Sequence, residues 1–310
     1  MKILFAVDGS RCSEEAIASV VKMKCPMGTE FMVVTAVDFY AAFSADVDAR
    51  GKEIHAANQF IEETLQKLKA AHPSVSVEGR VLDGHIVQEI LRVAEEWPAD
   101  LIMLGSHGRS GLTEFFLGSV SRSVLSNADC AVRIVRPGDA EKAGSKAGSK
   151  EGMNVLIGLD QSEHCKHLID HVLRLPWSVG TKFRLVNVIP EVNKSVLFDP
   201  DVEFAKNAAT EYDSLIDSHS HWMKETADRL NDTFEQKDIA EFEVLLGDPR
   251  KVLLEIARSW PADIVMLGSH GKRGMERLFL GSVSEAVATH APCTVEVTRV
   301  PAFRKAKVTA

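Results

Sequence analysis

Two short blocks of consecutive apolar residues, KILFAVD (2 to 8) and NVLIGLD (154 to 160), each end in an acidic residue and lead into a helix-like stretch. Runs of this length without alternation suit strands buried on both faces of a parallel sheet. After the first block the pattern predicts a strand FMVVTAV (31 to 37), an amphipathic helix to about residue 71, and a strand VSVEGRVL (75 to 82). A helix IVQEILRVAEEW (86 to 97), a strand DLIMLG (100 to 105), a glycine-rich loop, a helix SVSRSVLSNA (119 to 128) and a strand CAVRIVR (130 to 136) follow. The second half repeats the order, with FRLVNVI, EFEVLLG, DIVMLG and CTVEVTR as its later strands. Alternating β and α units predict an α/β fold of two tandem doubly wound domains, each a parallel sheet with helices on both faces.

The repetition is also literal. Residues 97 to 121 read WPADLIMLGSHGRSGLTEFFLGSVS and residues 260 to 284 read WPADIVMLGSHGKRGMERLFLGSVS, with 17 of 25 positions identical and no gap. A repeat of about 160 residues is domain-sized, so each copy is expected to fold around its own core. Between them PGDAEKAGSKAGSKEGMN holds Gly, Ser, Ala and Lys with nothing to bury, which marks a linker. The expected division is a first domain over 1–137, a linker over 138–152, a second domain over 153–300 and a tail over 301–310.

Composition narrows the function classes. The 45% hydrophobic and 26% charged content is that of an ordinary globular protein. A net charge of −8 leaves no basic surface for a phosphate backbone, so no nucleic acid polymer is expected as partner, and the basic tail Arg304, Lys305 and Lys307 is too short to change that. The N-terminus lacks a signal-peptide pattern and no stretch is long enough to cross a bilayer, so no membrane contact is expected. Five cysteines without a CxxC pair suit reduced thiols, and the expected location is cytoplasmic.

The identical positions are mainly loop residues, where function concentrates. Gly105, Gly108, Gly118 and Ser119, and again Gly268, Gly271, Gly281 and Ser282, follow a strand and open a helix. Ligands of open parallel sheets bind outside the carboxyl ends of the strands. Gly105 and Gly108 are expected to adopt backbone conformations barred to other residues and to let amides approach a ligand. The helix start offers free N–H groups and a positive dipole end to an anion. Ser119 and Ser121, with Ser282 and Ser284, add hydroxyl donors, and Arg109 or Lys272 adds a positive charge at the mouth. Together these read as a phosphate cradle. Asp8 and Asp160 either face the nucleoside end of a nucleotide or make turns; Val34 and Val186 either line a base pocket or sit in the core.

The halves differ in two places. The second is longer between its second and third strands, around residues 195 to 222. Its third strand leads into Gly247, Asp248 and Pro249, a good helix start, where the first half has Gly84, His85 and Ile86, a weaker cap.

On these residues each half resembles a universal stress protein domain, and the chain resembles a tandem universal stress protein. The family pattern G-x2-G-x9-G-[ST] is met by Gly105, Gly108, Gly118, Ser119 and by Gly268, Gly271, Gly281, Ser282. The resemblance implies five-stranded parallel sheets of strand order 3-2-1-4-5 and the ATP-binding subgroup. It carries binding roles onto Asp8, Val34, Gly105, His107, Gly108, Gly118, Ser119, Val120 and Ser121, and onto Asp160, Val186, Gly268, His270, Gly271, Gly281, Ser282, Val283 and Ser284. ATP is the implied ligand, with Mg2+ as companion and AMP or ADP as alternatives. Family dimers pair through their last strands, so residues 132 to 135 and 295 to 298 are expected at an internal pseudo-dimer, with a homodimer of chains as a further possibility.

Other chemistries fit less well. No GxxxxGK[ST] occurs, and GxxGxxG departs from the dinucleotide fingerprint GxGxxG. His107 and His270 read as loop-ordering or phosphate-binding groups, because the loop has no acidic neighbour to complete phosphoryl-transfer chemistry. Ser106 beside His107 is not read as a hydrolase pair, since adjacent residues seldom face each other. His164, His167 and His171 share a helical face, yet the first half has no such trio, so no metal site is assigned. Cys130 and Cys293 read as small buried thiols. The expected function is a non-enzymatic, nucleotide-dependent regulator in the stress response; the alternative is a weak ATPase or autophosphorylating phosphotransferase.

Overall fold

Among the residues described by the computed structural model (1–21, 25–37, 47–108, 117–136, 152–190, 203–234, 238–271 and 280–300), ten strands form one continuous sheet. In the first half β1 (Lys2–Ala6), β2 (Glu30–Val37), β3 (Ser76–Asp83), β4 (Leu101–Gly105) and β5 (Ala131–Val135) lie parallel in the order β3-β2-β1-β4-β5. The second half builds the same order from β6 (Asn154–Leu159), β7 (Lys182–Ile189), β8 (Ala240–Leu246), β9 (Ile264–Gly268) and β10 (Thr294–Thr298). The strand order is therefore 3-2-1-4-5, as expected. The halves meet where β5 and β10 pair antiparallel, which makes the whole sheet mixed.

The central strands show why their sequences do not alternate. Ile3, Leu4 and Phe5 of β1 and Leu101, Ile102 and Met103 of β4 are all buried, because helices cover both faces. The edge strand β3 alternates exposed and buried positions instead.

One face is covered by α1 (Arg11–Val21) and α2 (Val47–Ala71) in the first half and by α5 (Glu163–Arg174) and α6 (Glu203–Thr233) in the second. Each pair closes a core of its own, around Phe5, Phe31 and Leu68 in one half and Phe183, Leu168 and Leu230 in the other. The opposite face carries α3 (Ile86–Glu96), α4 (Ser119–Asn127), α7 (Pro249–Ser259) and α8 (Ser282–His290). Here the expectation of separate cores fails. Leu4, Val93, Leu125 and Val132 belong to the same buried cluster as Leu156, Ile256, Val287 and Val295, so one apolar layer runs across the β5/β10 seam.

Two buried arginines fasten that seam. Arg136 Nη2 donates to the Ala288 and Thr289 carbonyls (2.7 and 2.8 Å) at the end of α8, and Arg299 Nη2 donates to the Leu125 and Ser126 carbonyls (2.9 and 2.6 Å) at the end of α4. A helix end leaves such carbonyls unpaired and favours a cation. The extra length of the second half appears partly in α6, which has 31 residues against 25 in α2. Residues 137–151, which hold all but the last residue of the expected linker, residues 191–202 and residues 301–310 lie outside the described residues. All five cysteines are free thiols. Among the described residues no helix is long and apolar enough to cross a membrane.

Candidate functional site

Ala6 and Leu104 are register partners, so the chain leaving β1 and the loop leaving β4 emerge side by side at the carboxyl edge of the sheet. The two aspartates make the turns open to them from sequence and also face the glycine loop. Asp8 Oδ1 accepts a hydrogen bond from Ser10 N (3.0 Å), an Asx turn leading to α1, and Asp160 Oδ1 accepts one from Ser162 N (3.1 Å). The other carboxylate oxygen faces the glycine loop: a Cβ on Gly108 would stand 2.8 Å from Asp8 Oδ2, and one on Gly271 would stand 2.4 Å from Asp160 Oδ2.

Neither Gly105 nor Gly108 adopts a positive φ, which corrects the conformational reason given for them. Close approach is the reason instead. A Cβ on Gly105 would meet Cys12 Cβ at 2.6 Å and the Cys12 backbone at 2.9 Å, so this glycine lets α1 lie against β4. Gly268 has the same role against His164, more loosely, at 3.0 Å.

The last helix of each half begins at the loop's far end. Gly118 N donates to the Ser106 carbonyl and Gly281 N to the Ser269 carbonyl, both at 2.8 Å. Gly118 and Gly281 are the N-caps of α4 and α8, and no side chain caps either helix. In contrast Ser162 caps α5; Asp248 caps α7, with Pro249 in the first turn, while His85 makes no side-chain cap, as those two sequences suggested. Among the described residues no side chain takes up the opening amides of α4 and α8, which point their unpaired N–H groups and positive dipole end into the cleft. Ser119 and Ser282 stand exposed there. Ser121 and Ser284 differ from expectation, because their hydroxyls donate to the Gly105 and Gly268 carbonyls (2.7 Å each) and tie helix to strand.

Ser106 Oγ lies 3.0 Å from His107 Nδ1, and Ser269 Oγ 3.0 Å from His270 Nδ1, so these neighbours do face each other, contrary to the sequence argument. Ser106 is 0% exposed, however, and no substrate reaches its hydroxyl. Among the described residues the Nε2 atoms of His107 and His270 are buried without a hydrogen-bond partner. Burial, and then the charge of Arg136, lower the His107 pKa and favour the neutral ring.

In the first half Asp8, Val34, Gly105, His107, Gly108, Gly118, Ser119, Val120 and Ser121 all line one cavity of about 230 Å³. Its apolar wall is completed by Ala6, Ala36, Leu104, Ile86 and Ile90, which sequence reading missed. Ile86 and Ile90 stand four residues apart on one face of α3, a spacing that was available as a signal. Val34 is both core and lining. Arg109 and Lys272 lie outside the described residues.

Asp160, Val186, Gly268, His270, Gly271, Gly281, Ser282, Val283 and Ser284 hold the matching positions in the second half, with altered surroundings. Gly158 replaces Ala6, and the side chains of Leu267 and Leu253 come within 2.4 and 3.1 Å of where its Cβ would stand. Cys165 donates from Sγ to Asp160 Oδ1 (3.0 Å), and burial together with that carboxylate pushes the thiol up to about 12. His219 of α6 contacts Asn187 Oδ1 (2.7 Å), and Asn187 Nδ2 donates to the Leu159 carbonyl (2.6 Å), so the longer helix braces the strand end before Asp160.

The helical histidines are dispersed among different partners. His164 packs 5.2 Å from the His270 ring and His171 Nε2 lies 2.5 Å from Glu296 Oε1; among the described residues no cluster of three metal-binding side chains forms. Burial, with the charges of Asp100 and Asp129, raises the Cys130 pKa to about 12, an unreactive thiol.

Comparison with known proteins agrees with this architecture. The sequence profile of the universal stress protein family matches residues 1–136 and again residues 153–299. A universal stress protein of Mycobacterium tuberculosis is 25% identical over 326 aligned positions, covering 96% of this chain and 95% of that one. One from Synechocystis sp. is 27% identical over 149 positions, 46% of this chain and 94% of its own. Among solved structures, a universal stress protein from Archaeoglobus fulgidus superposes with a TM-score of 0.64 at 20% identity, over 97% of this chain and 96% of that one.

Proposed function

The chain belongs to the universal stress protein family, and from that premise we propose that each half binds an adenine nucleotide, ATP foremost, and that occupancy rather than catalysis is what the protein contributes to a stress response. One observation carries the reading: a single first-half cavity joins a strand-end carboxylate, an apolar wall and an uncapped helix start. In this assignment the amides opening α4 hold phosphate oxygens, Asp8 Oδ2 accepts from the ribose hydroxyls, and Val34, Ala36, Ile86 and Ile90 enclose the base. Mg2+ would neutralise charge on the phosphate chain. The buried, unpartnered His107 Nε2 fits the same reading, since a polar atom withdrawn from water is costly unless a ligand satisfies it. The buried Ser106 hydroxyl gives no support to a hydrolytic nucleophile.

The second half has the same cradle but a different base side, so its affinity is expected to differ. Binding stabilises the folded protein by about 4 kcal/mol at 1,000 times the dissociation constant. The test is to denature freshly purified protein, identify released nucleotides by mass, and follow thermal unfolding with added ATP, ADP and AMP. Intact ATP and a rise in melting temperature are expected. Release of ADP with turnover of added ATP would move the assignment to a weak ATPase; no nucleotide and no shift would refute it.

A further inference from the structure

The gap-free match of the halves carries Arg133 of β5 onto Glu296 of β10, and Arg122 of α4 onto Glu285 of α8. In the antiparallel seam Val295 lies opposite Ile134, Glu296 opposite Arg133 and Val297 opposite Val132. Position 133 therefore faces its own counterpart, and the local twofold passes between these two side chains. Arg133 Nε lies 2.5 Å from Glu296 Oε2, with the glutamate 0% and the arginine 12% exposed. Arg122 and Glu285, also equivalent and also facing, pair at 2.9 Å nearer the surface. At both self-facing positions the first half holds arginine and the second half glutamate.

The rest of the seam distinguishes the halves less. Along the paired strands Val132 matches Val295, Ile134 matches Val297, and Arg136 matches Arg299, so strand packing and the arginine caps themselves recur in both halves. Smaller differences stand behind them, Leu125 against Ala288 and Asp129, whose charge reaches Arg299, against Pro292, but among the described residues the two self-facing positions are the ones where the sign of the charge reverses. Two paired first halves would bring Arg133 against Arg133 and Arg122 against Arg122. Two paired second halves would bury Glu296 against Glu296 out of reach of solvent, with only the His171 beside each to offset the repulsion. Like charges face to face suppress a wrong partner, and a buried charge without its opposite is among the costliest features an interface can hold.

We propose that the seam is a charge-coded interface: β5 accepts only a last strand with an acid at its centre, so a first half pairs only with a second half, of its own chain or of another copy. The code excludes homotypic pairing and permits exchange of halves between copies. His171, 2.5 Å from Glu296 Oε1 on α5, gives the acidic side a second partner.

Full-length charge variants test this. An acidic chain (Arg122→Glu with Arg133→Glu) and a basic chain (Glu285→Arg with Glu296→Arg) each present like charges across the seam, and a chain with all four changes restores opposite ones. Each like-charged chain is expected to melt roughly 10 °C below the parent, and the fourfold variant to regain the larger part, short of the lost His171 contact. Acidic and basic chains with different tags, refolded together, are expected to give particles holding one of each, about tenfold above those from two tagged parent chains by native mass spectrometry. A like-charged chain that folds only beside its complement supports the code equally. A fourfold variant no more stable than the like-charged chains, or mixing no greater than in the parent, would overturn it.

Discussion

The glycines of the duplicated loop separate stability from binding within three residues of one another. An alanine at 105 would place its methyl 2.6 Å from Cys12 Cβ, 2.9 Å from the Cys12 backbone and 3.1 Å from Ser13 N. These atoms belong to α1 and cannot rotate away, so the helix must shift. Overpacking of this kind costs about 1–3 kcal/mol, reduced by the ~0.4–1 kcal/mol that Gly→Ala gains by restricting the unfolded chain. Gly105→Ala is therefore expected to cost about 1–2 kcal/mol and to lower the melting temperature by roughly 2–8 °C. At 108 the one contact of the methyl among the described residues would be Asp8 Oδ2, at 2.8 Å. That carboxylate can turn aside, so Gly108→Ala should leave stability within about 0.5 kcal/mol.

The carboxylate it displaces is the one assigned to the nucleotide. Losing one hydrogen bond to a charged group costs about 1.5–3 kcal/mol, which corresponds to a fall of roughly 10- to 150-fold in first-site affinity. Thermal unfolding without ligand, paired with calorimetric titration of ATP, measures both effects. Gly108→Ala should melt with the parent yet lose the first site from the titration, whereas Gly105→Ala should melt early. The second half repeats the contrast with other weights: Gly268→Ala should be milder than Gly105→Ala, its nearest contact being 3.0 Å, and Gly271→Ala must move Asp160 further, from 2.4 Å. If Gly108→Ala destabilised as much as Gly105→Ala, or bound ATP unchanged, this division of labour would be refuted.

Two further outcomes follow from single contacts. Asp248 caps α7 through Arg250 N at 3.0 Å while His85 caps nothing, so Asp248→Ala should cost about 1 kcal/mol and His85→Ala close to none, read by urea midpoints. Burial alone would raise the Glu296 pKa, but Arg133 and His171 outweigh it and hold the carboxylate down to about 2, against 4.5 for an unperturbed group. A depressed folded-state value contributes stability that is complete above the unfolded value and lost as pH falls through the folded one, a difference of about 3 kcal/mol between pH 5 and 2. The stability gap between the parent and Glu296→Gln should shrink across that window, and a gap constant with pH would contradict the assignment.

The parts of this molecule that could be read from its sequence are those where burial leaves a one-dimensional trace. Strands enclosed on both faces, such as KILFA and LIMLG, write unbroken apolar runs, and glycines at strand ends and helix starts mark the cleft. Reasons were less legible than positions. Gly105 is invited by helix packing rather than by its backbone angles, and Ser121 is held by a carbonyl sixteen residues away, a commitment that spacing does not reveal. The shared core was invisible for a simpler cause. Leu125 and Val132 are apolar whichever half covers them, so the pattern records that they are buried and not by whom.

That anonymity of burial matters for the sites themselves. The helix α4 opens at the first cleft with Gly118 and closes against Arg299 of the second half; α8 opens at the second cleft with Gly281 and closes against Arg136 of the first. Each arginine directly follows the residue whose carbonyl accepts the amide of a loop serine, Ser106 N to Val135 and Ser269 N to Thr298, both at 2.8 Å. The loop of either cleft is thus joined, through one strand end and one guanidinium, to the helix that opens the other. Helices of nine residues are short enough that their two ends move as one body. An anion bound at the start of α4 would therefore sit on a helix whose other end is held by a cation from the opposite half, so the proposed occupancy of either cleft is expected to weaken when the pairing of the halves is broken.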